Sequence, residues 1–290
     1  MRHSGDCAFA FSTRFALSGR SREGIEVWSL DQATEALRCL EAFDYELSSS
    51  AGGDAVPKML SFAAAPNSLM LASHTDDITV WDVGSGCSRW RARGAECGEQ
   101  VDRITALLAS RSQSPMALAC TATQGTFTLD PRASPATVQA GRHRVPGTVL
   151  AATRVGTGAT FCQLHEYADA QQLSVYDERS DGVVSSFCID LQNRPSRHPS
   201  GRPLAMDSPH VSRPAISLSG SSGDVAIFNL PEGSGTSQAT LKPSFIHSGH
   251  RLDDAACLVL DHFWHPVHTG FLVSTADDGS LHVWAPREQS

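Results

Sequence analysis

HSGHRLDDAACLVLDHFWHPVHTGFLVSTADDGSLHVW, residues 247 to 284, is the stretch that decides the fold. A Gly-His pair stands near its start, three short apolar runs follow, and a tryptophan closes it. The Asp-Asp-Gly at 277–279 predicts a tight hairpin turn, because glycine reaches positive φ at little cost and aspartate bonds its own backbone. The alternating Leu-His-Val-Trp at 281–284 predicts a half-buried strand. A sheet this small cannot bury both faces alone, so the pattern predicts further copies upstream.

The composition is that of an ordinary globular chain, with 290 residues of which 41% are hydrophobic and 19% charged. A net charge of −8 argues against direct nucleic-acid binding, which needs a basic surface. No apolar run approaches the ~18 residues of a membrane span, and residues 1–11 are too interrupted for a secretory signal. The 8 cysteines lie singly, without a CxxC pair, which predicts free thiols in a reducing compartment. We therefore expect an intracellular protein without membrane insertion.

Weaker copies of the pattern recur along the chain. After a turn and an alternating run, a large apolar residue occupies the same position six times, at Trp28, Trp81, Leu129, Tyr176, Phe228 and Trp284. The separations of 53, 48, 47, 52 and 56 residues predict an all-β fold of six small sheets in one domain, residues 1–290. The approximate bounds are 7–41, 58–92, 102–139, 147–190, 203–241 and 250–290. The alternatives are a β-sandwich or two unrelated β domains.

The first repeat and one long connection are the least regular parts. Cys7–Phe11 and Phe15–Gly19 predict the first two strands of the first repeat, while residues 31–37 also fit a helical turn. Residues 193–214 are rich in Pro, Arg and Ser. They predict a loop that is disordered or ordered by a partner, because a single-strand-binding patch would carry interleaved aromatic residues.

The stretch at 250–284 resembles a WD repeat, the unit that forms one four-stranded blade of a β-propeller. Trp81-Asp82 provides the dipeptide that names this family. The resemblance implies a buried hydrogen-bonded chain that holds the blade together, made of His250, Ser274 or Thr275, Asp278 and Trp284. Such a network stabilises a blade rather than performing a reaction, because its polar groups satisfy one another.

The closure of the ring is left open by the pattern. Six residues follow Trp284, too few for the outer strand of a last blade. A propeller closes on itself because an unpaired edge strand invites association. We expect a seven-bladed type whose last blade is missing, or a ring completed by a partner's strand, in preference to a closed six-bladed ring.

No motif for catalysis or cofactor binding is recognisable. A P-loop, a dinucleotide-binding GxGxxG, a GxSxG elbow and an HExxH motif are all missing, which predicts a non-catalytic protein without a cofactor. His262, His265 and His268 have HxxHxxH spacing. On a strand they do not share one face, so we expect no metal site from them. In the WD family, His-Pro often ends the first strand of a repeat, as His265-Pro266 would here.

Within the WD family the layout resembles a small WD-repeat nucleoporin of the outer-ring Y complex. The stretches that carry this resemblance are Phe15–Gly19 with Ile25–Leu30, the two degenerate middle repeats, Arg202-Pro203-Leu204, and the His-Pro to Trp run that ends at Trp284. It implies a scaffold that binds other protein subunits of a large assembly. The nucleus, with the nuclear envelope, or the cytoplasm is then the expected location.

Two other classes of function stay open. Substrate receptors of cullin-type ubiquitin ligases resemble WD proteins that carry W/Y-D-x-R after a third strand. Tyr176-Asp177-Glu178-Arg179 fits that pattern, and the Leu129 to Arg132 run fits it with leucine replacing the aromatic residue, so Arg179 and Arg132 are candidate adaptor contacts. An enzyme or ligand binder that uses the central channel is the third class, although no convergent acid–base set is visible.

Overall fold

The computed structural model describes the backbone of residues 7–17, 20–31, 36–45, 58–61, 68–72, 78–82, 87–92, 104–109, 117–123, 125–129, 139–156, 158–167, 170–180, 182–189, 205–209, 214–219, 223–231, 239–252, 255–265 and 268–286. Side chains are described within these ranges at 104–108, 117–123, 125–128 and 143–156, and from 158 onward except at 251–256. Every regular element in these ranges is a strand. No helix among the described residues has the length and hydropathy needed to cross a membrane.

The first half of the chain forms three antiparallel sheets, in each of which every strand pairs with the one before it in sequence. The strands are β1 (Cys7–Leu17), β2 (Arg20–Asp31) and β3 (Ala36–Tyr45); β4 (Lys58–Ser61), β5 (Ser68–Ala72), β6 (Ile78–Asp82) and β7 (Cys87–Ala92); and β8 (Ile104–Ala109), β9 (Ala117–Thr121), β10 (Thr126–Leu129) and β11 (Gln139–Arg142).

The second half forms three further sheets and a short ribbon. The fourth sheet contains β12 (Thr148–Arg154), β13 (Thr160–Tyr167), β14 (Ala170–Asp177) and β15 (Val183–Ile189). The following strands are β16 (Ala205–Asp207), β17 (Ala215–Ser219), β18 (Val225–Asn229), β19 (Thr240–Leu241) and β20 (Phe245–His247); β21 (Arg251–Leu252) and β22 (Ala255–Ala256); and β23 (Val259–Trp264), β24 (Leu272–Ala276) and β25 (Leu281–Trp284). The fifth sheet has the order β16-β17-β18-β20, and the last sheet has the order β23-β24-β25.

From the second sheet to the last, consecutive sheets contact each other through their first strands. β4 contacts β8, β8 contacts β12, β12 contacts β16, and β16 contacts β23. Since these are the first strands of consecutive sheets, the first strands lie innermost and the later strands of each sheet lie progressively further out. The blades of a propeller are arranged in this way.

Hydrophobic packing between neighbouring sheets supplies the core. Residues of β13 alternate between two neighbours, because successive side chains of a strand point to opposite faces. Phe161 packs with Leu118 and Cys120 of the third sheet, whereas Leu164 packs with Ile216 of the fifth. Both faces of the fourth sheet are therefore covered, which explains why the middle of β13 is buried without interruption.

The six repeat positions all lie on strands that the structure contains. Tyr176 and Phe228 are completely buried, with 0% of their surface exposed, whereas Trp284 is half-buried. Trp28, Trp81 and Leu129 lie on β2, β6 and β10, and their side chains are outside the described residues. The number of blades in the complete ring and the assignment of all 290 residues to one domain stay predictions.

The first predicted repeat differs from the structure in its strand boundaries. Cys7–Phe11 and Phe15–Gly19 are predicted as two strands, but β1 pairs with β2 without a break from Cys7 to Leu17. Residues 12–14 are Ser-Thr-Arg and contain no glycine or proline to break the strand. The first sheet therefore has three strands rather than four. Its third strand, β3, runs to Tyr45, beyond the predicted end at 41.

The fifth predicted repeat ends too early. The range 203–241 places its outer strand before residue 242, but β20 at Phe245–His247 is the strand that pairs with β18. β19 instead pairs in parallel with β15 of the fourth sheet. Pro243 lies between β19 and β20, and proline breaks a strand because it has no N–H to donate. The third repeat likewise extends past 139, since β11 ends at Arg142.

Candidate functional site

The structure brings the predicted WD-type residues together in the last sheet. His250 and Ser274 are buried, and His250 Nε2 lies 2.8 Å from Ser274 Oγ. The indole Nε1–H of Trp284 donates to the same oxygen over 3.1 Å. Thr275, the other candidate, instead donates from Oγ1 to the Asp261 carbonyl over 3.5 Å. Ser274 is thus the strand residue that joins the histidine to the tryptophan.

Asp278 reaches this network through a serine that the sequence analysis missed. The Oδ1 atom of Asp278 accepts the backbone N–H of Ser280 over 2.8 Å, and His250 Nδ1 lies 2.7 Å from Ser280 Oγ. The side-chain and backbone hydrogen bonds of Ser280 lower the pKa of Asp278. Ser280 directly follows the predicted Asp-Asp-Gly turn, and this position was the sequence feature from which its contact with the network could have been predicted. That these residues hold a blade together stays a prediction.

A second His-Ser-Trp group joins the fifth sheet to the last one. His262 is 3% exposed, and its Nδ1 and Nε2 lie 2.9 Å from Ser219 Oγ and 2.8 Å from Ser217 Oγ. Trp264 Nε1–H donates to Ser217 Oγ over 2.9 Å, and its backbone N–H donates to Asp207 Oδ2 over 2.7 Å. Both ring nitrogens of His262, on the last sheet, therefore form hydrogen bonds with serines of the fifth sheet.

The histidines of the HxxHxxH spacing do not converge on one point. The rings of His265 and His268 have their centroids 4.6 Å apart, and His268 is exposed, whereas His262 is buried between sheets. The role of His262 was not predicted from the sequence. Two serines at alternate positions of β17 and a His-x-Trp in β23 were the available signals.

A third histidine joins the third sheet to the fourth. The ring of His143 is buried edge-on against Phe161 and Tyr176, with centroids 5.0 Å from each. Its Nε2 lies 2.6 Å from the Ser180 carbonyl, so this nitrogen carries the proton, and Nδ1 accepts from Thr126 Oγ1 over 2.9 Å. His143 and His262 thus both lie between neighbouring sheets, with both ring nitrogens of each in hydrogen bonds.

The tetrapeptide predicted as an adaptor contact lies at the end of β14. The Arg179 side chain is 78% exposed and pairs with Asp177, Nε to Oδ1 over 2.8 Å and Nη2 to Oδ2 over 2.5 Å. These hydrogen bonds lower the pKa of Asp177 to about 2. Glu178 between them turns inward and accepts from the buried Arg154 over 2.7 Å. Arg132, the second candidate, lies outside the described residues, as do most of residues 193–214.

One face of the last sheet is apolar and exposed. Five of the eight exposed large apolar side chains in the described ranges lie between residues 260 and 283. Phe263, Val273 and Val283 are cross-strand partners on this face, with Phe263 47% and Val283 61% exposed, and Leu281 beside them is 62% exposed. The opposite face is covered by the fifth sheet, where Trp264 packs with Ile227. We call the exposed side the open face.

A cluster of three histidines lies where the fifth and the last sheets meet. His247 ends β20, His250 belongs to the turn that follows, and His282 is in β25. His247 Nε2 and His282 Nδ1 are 3.2 Å apart. The ring of His247 stacks on Trp284 at 4.2 Å between centroids, and His250 stacks on His282 at 4.0 Å. Burial, followed by the neighbouring His282 and His250, lowers the pKa of His247 to about 4.

Gly249 is the residue that lets these rings approach. A Cβ at position 249 would lie 2.5 Å from His247 Nε2 and 2.7 Å from His282 Nδ1. We expect Gly249→Ala to force the two rings apart and to cost about 1–2 kcal/mol in the free energy of unfolding, measured by urea denaturation. Gly182→Ala is the matched control, since a Cβ there meets nothing within 4 Å. Equal stability of the two variants would contradict this account.

No protein-family model matches the chain. The chain is 40% identical over 75 residues to the Integrator complex assembly factor WDR73 of Danio rerio and 37% identical over 79 residues to that of Homo sapiens. These matches cover 24% of this chain, and 20% and 21% of the relatives, so they span about a fifth of the relatives' length. They support the general WD-repeat resemblance but not its nucleoporin-specific part.

Solved structures of coat proteins share the fold. A chain in "COPII on membranes, outer coat vertex" superposes with a TM-score of 0.63 over 91% of this chain and 66% of that chain. A chain in "The structure of the COPII coat assembled on membranes" superposes with the same score over 91% of this chain and 36% of its own length. At 13% identity in both cases, the likeness concerns the fold alone. The chain is an all-β protein with a β-propeller fold.

Proposed function

We propose that this chain is a non-catalytic interaction scaffold that acts in the assembly of a multiprotein complex. The observation that carries the proposal is the open face, a cluster of exposed apolar side chains on the last sheet of the propeller. The relatives are named Integrator complex assembly factor, and this name favours a role in assembly. The partner that we propose is an Integrator-type multiprotein complex. The location that we propose is the nucleus or the cytoplasm.

The chemistry of the open face selects a protein partner. Its cross-strand row of Phe263, Val273 and Val283 is apolar, and exposed apolar patches of this kind mark protein interfaces. Among the described strands β25 pairs on one side only, with β24, which leaves its other edge available for a further strand. A partner segment that adds a strand to β25 and lays apolar side chains on the open face would satisfy both features.

The buried histidines favour a structural interior over a reactive one. His143 and His262 each use both ring nitrogens in hydrogen bonds, His143 with Thr126 and Ser180 and His262 with Ser219 and Ser217. A general base needs a nitrogen that can take a proton from a substrate. These two imidazoles are committed to holding sheets together instead.

Charge introduced into the open face should abolish partner binding. We expect Leu281→Glu and Val283→Glu to reduce recovery of the bound complex at least tenfold in affinity purification with mass spectrometry, because a carboxylate would have to be desolvated at the interface. Both side chains are more than half exposed, so the fold should survive. Val183→Glu is the matched control, because Val183 is also an exposed apolar residue but lies on the fourth sheet. Unchanged recovery with both glutamate variants would refute the open face as the docking surface.

The same purification separates the alternatives that the sequence left open. Recovery of Integrator subunits supports the assembly role that we propose, whereas recovery of outer-ring nucleoporins would replace it with a nuclear-pore role. The exposure of Arg179 after Tyr176-Asp177 favours the cullin-adaptor alternative as the second candidate. If that alternative holds, a cullin adaptor is recovered with the native chain and is lost with Arg179→Ala.

A further inference from the structure

Three imidazoles converge between β20 and β25, two from the end of β20 and the turn after it and one from β25. One ring nitrogen each of His247, His250 and His282 lies within 4.8 Å of the others. His250 is buried and the other two are half-buried, so the cluster is held by the protein and still borders solvent. Imidazole is the ligand that zinc and copper ions share in proteins, and three imidazoles form a sufficient donor set for either.

We infer that His247, His250 and His282 bind one divalent transition-metal ion, with Zn²⁺ as the expected ion, and that this ion joins the fifth sheet to the last one. Tetrahedral Zn²⁺ with Zn–N bonds of about 2.0–2.1 Å places two ligand nitrogens roughly 3.3–3.4 Å apart. The 3.2 Å between His247 Nε2 and His282 Nδ1 is close to that separation. The inference is independent of the assembly role proposed above.

His250 is oriented for ligation by its serine partners. Its Nε2 faces Ser274, which is completely buried and also accepts the Trp284 indole N–H, so this contact is costly to give up. A hydroxyl accepts two hydrogen bonds, so Ser274 can hold Nε2 in its protonated form and leave the lone pair on Nδ1. Such an outer hydrogen bond selects the tautomer of a ligating histidine. The metal then replaces Ser280 at Nδ1, and the half-buried Ser280 can turn to water.

Of the other two rings, His247 can keep its place and His282 has to tilt. His247 stands nearly perpendicular to His282 and to His250, at 84° and 85°, and is held in place by its stack on Trp284. His250 and His282 are almost parallel, at 12°, and two parallel rings cannot both keep one ion in their planes. His282 therefore tilts about its last side-chain torsion on binding. That torsion has a broad energy minimum in histidine, and β25 has no second neighbour among the described strands to prevent the movement.

The proposed metal site depends on the packing of the fifth sheet against the last one. Three protein ligands leave the fourth position to solvent. Because His247 and His282 belong to different sheets, the site exists only when those sheets are packed together. Bound metal therefore stabilises the folded chain.

The test uses the full chain, prepared without a histidine tag and stripped with a chelator. Titration calorimetry with ZnCl₂ should give one ion per chain, and Zn²⁺ at a hundredfold excess over Kd should raise Tm by about 5 °C or more. Co²⁺ in place of Zn²⁺ should give the visible absorption of a four-coordinate ion. A chain that is folded by circular dichroism but binds no Zn²⁺ would overturn the inference.

Single substitutions assign the ligands. His282→Ala and His247→Phe should each weaken Zn²⁺ binding at least tenfold, and phenylalanine keeps the ring that stacks on Trp284 while removing the nitrogens. His268→Ala is the control, an exposed histidine outside the cluster, and should bind as the native chain does. Unchanged affinity in His247→Phe, or an equal loss in His268→Ala, would show that the metal binds elsewhere. Ser280→Ala should tighten binding by removing the competitor for His250 Nδ1, and weaker binding in this variant would overturn the assignment of that nitrogen.

Discussion

Replacing Ser217 by alanine should destabilise the protein by about 4 kcal/mol, because one hydroxyl satisfies two buried groups at once. Ser217 Oγ accepts the Trp264 indole N–H over 2.9 Å and lies 2.8 Å from His262 Nε2. Both partners belong to β23, so the serine joins the fifth sheet to the last one. Each buried polar group left without a partner costs about 1–3 kcal/mol, and Ser217→Ala leaves two of them.

Two further alanine variants test this explanation by urea denaturation. Ser219→Ala removes the partner of His262 Nδ1 alone and should cost about half as much. Ser180→Ala changes an exposed serine and should stay within about 0.5 kcal/mol of the native chain. If the three variants unfolded at the same urea concentration, the shared hydroxyl would have no special role.

Acidification should destabilise the protein through His262. Burial lowers the pKa of this imidazole to about 4, whereas an unfolded histidine titrates near 6.5. Between pH 4 and pH 6.5, His262 binds a proton in the unfolded chain but not in the folded chain. The stabilisation is therefore complete above about pH 6.5 and is lost as the pH falls toward 4. A shift of this size corresponds to about 3 kcal/mol.

The measurement compares the free energy of unfolding of the native chain and of His262→Gln across this pH range. Glutamine keeps a donor and an acceptor but does not titrate. The pKa values of His165, His247 and His250 are also lowered, by burial in each case, so both proteins should lose stability in acid. The difference between them isolates His262. Identical pH profiles would show that His262 is not the group responsible.

Much of the fold could be predicted because its signals are local. The alternation and turn residues around Phe228 and Tyr176 lie within about a dozen residues of each strand, and both side chains are completely buried. The predicted range of β15, Val183–Ile189, is the observed one. The misplaced strands have a different cause. β19 pairs with β15, about fifty residues earlier in sequence, and no local pattern encodes a choice of partner sheet.

The contacts in the candidate sites also include some that the sequence could predict and some that it could not. The approach of His250 to Ser274 and Trp284 was predictable because a known repeat carries that spacing. The contacts of His262 with Ser217 and of His247 with His282 join residues 45 and 35 positions apart in different sheets, and their side chains match no repeat signature. Ser280 was not predicted because a serine after a turn is common. The direction of its hydroxyl depends on the position of the His250 ring, which the sequence does not show.

The sequence by itself determined that this chain forms small antiparallel sheets, because strand alternation and turn chemistry act over a few residues. Only the tertiary structure decided which sheet takes the short strand β19, which face of the last sheet stays open, and which histidines meet. Those outcomes depend on how neighbouring sheets stack around a common centre. Stacking is settled by the shapes and burial of side chains that are distant in sequence.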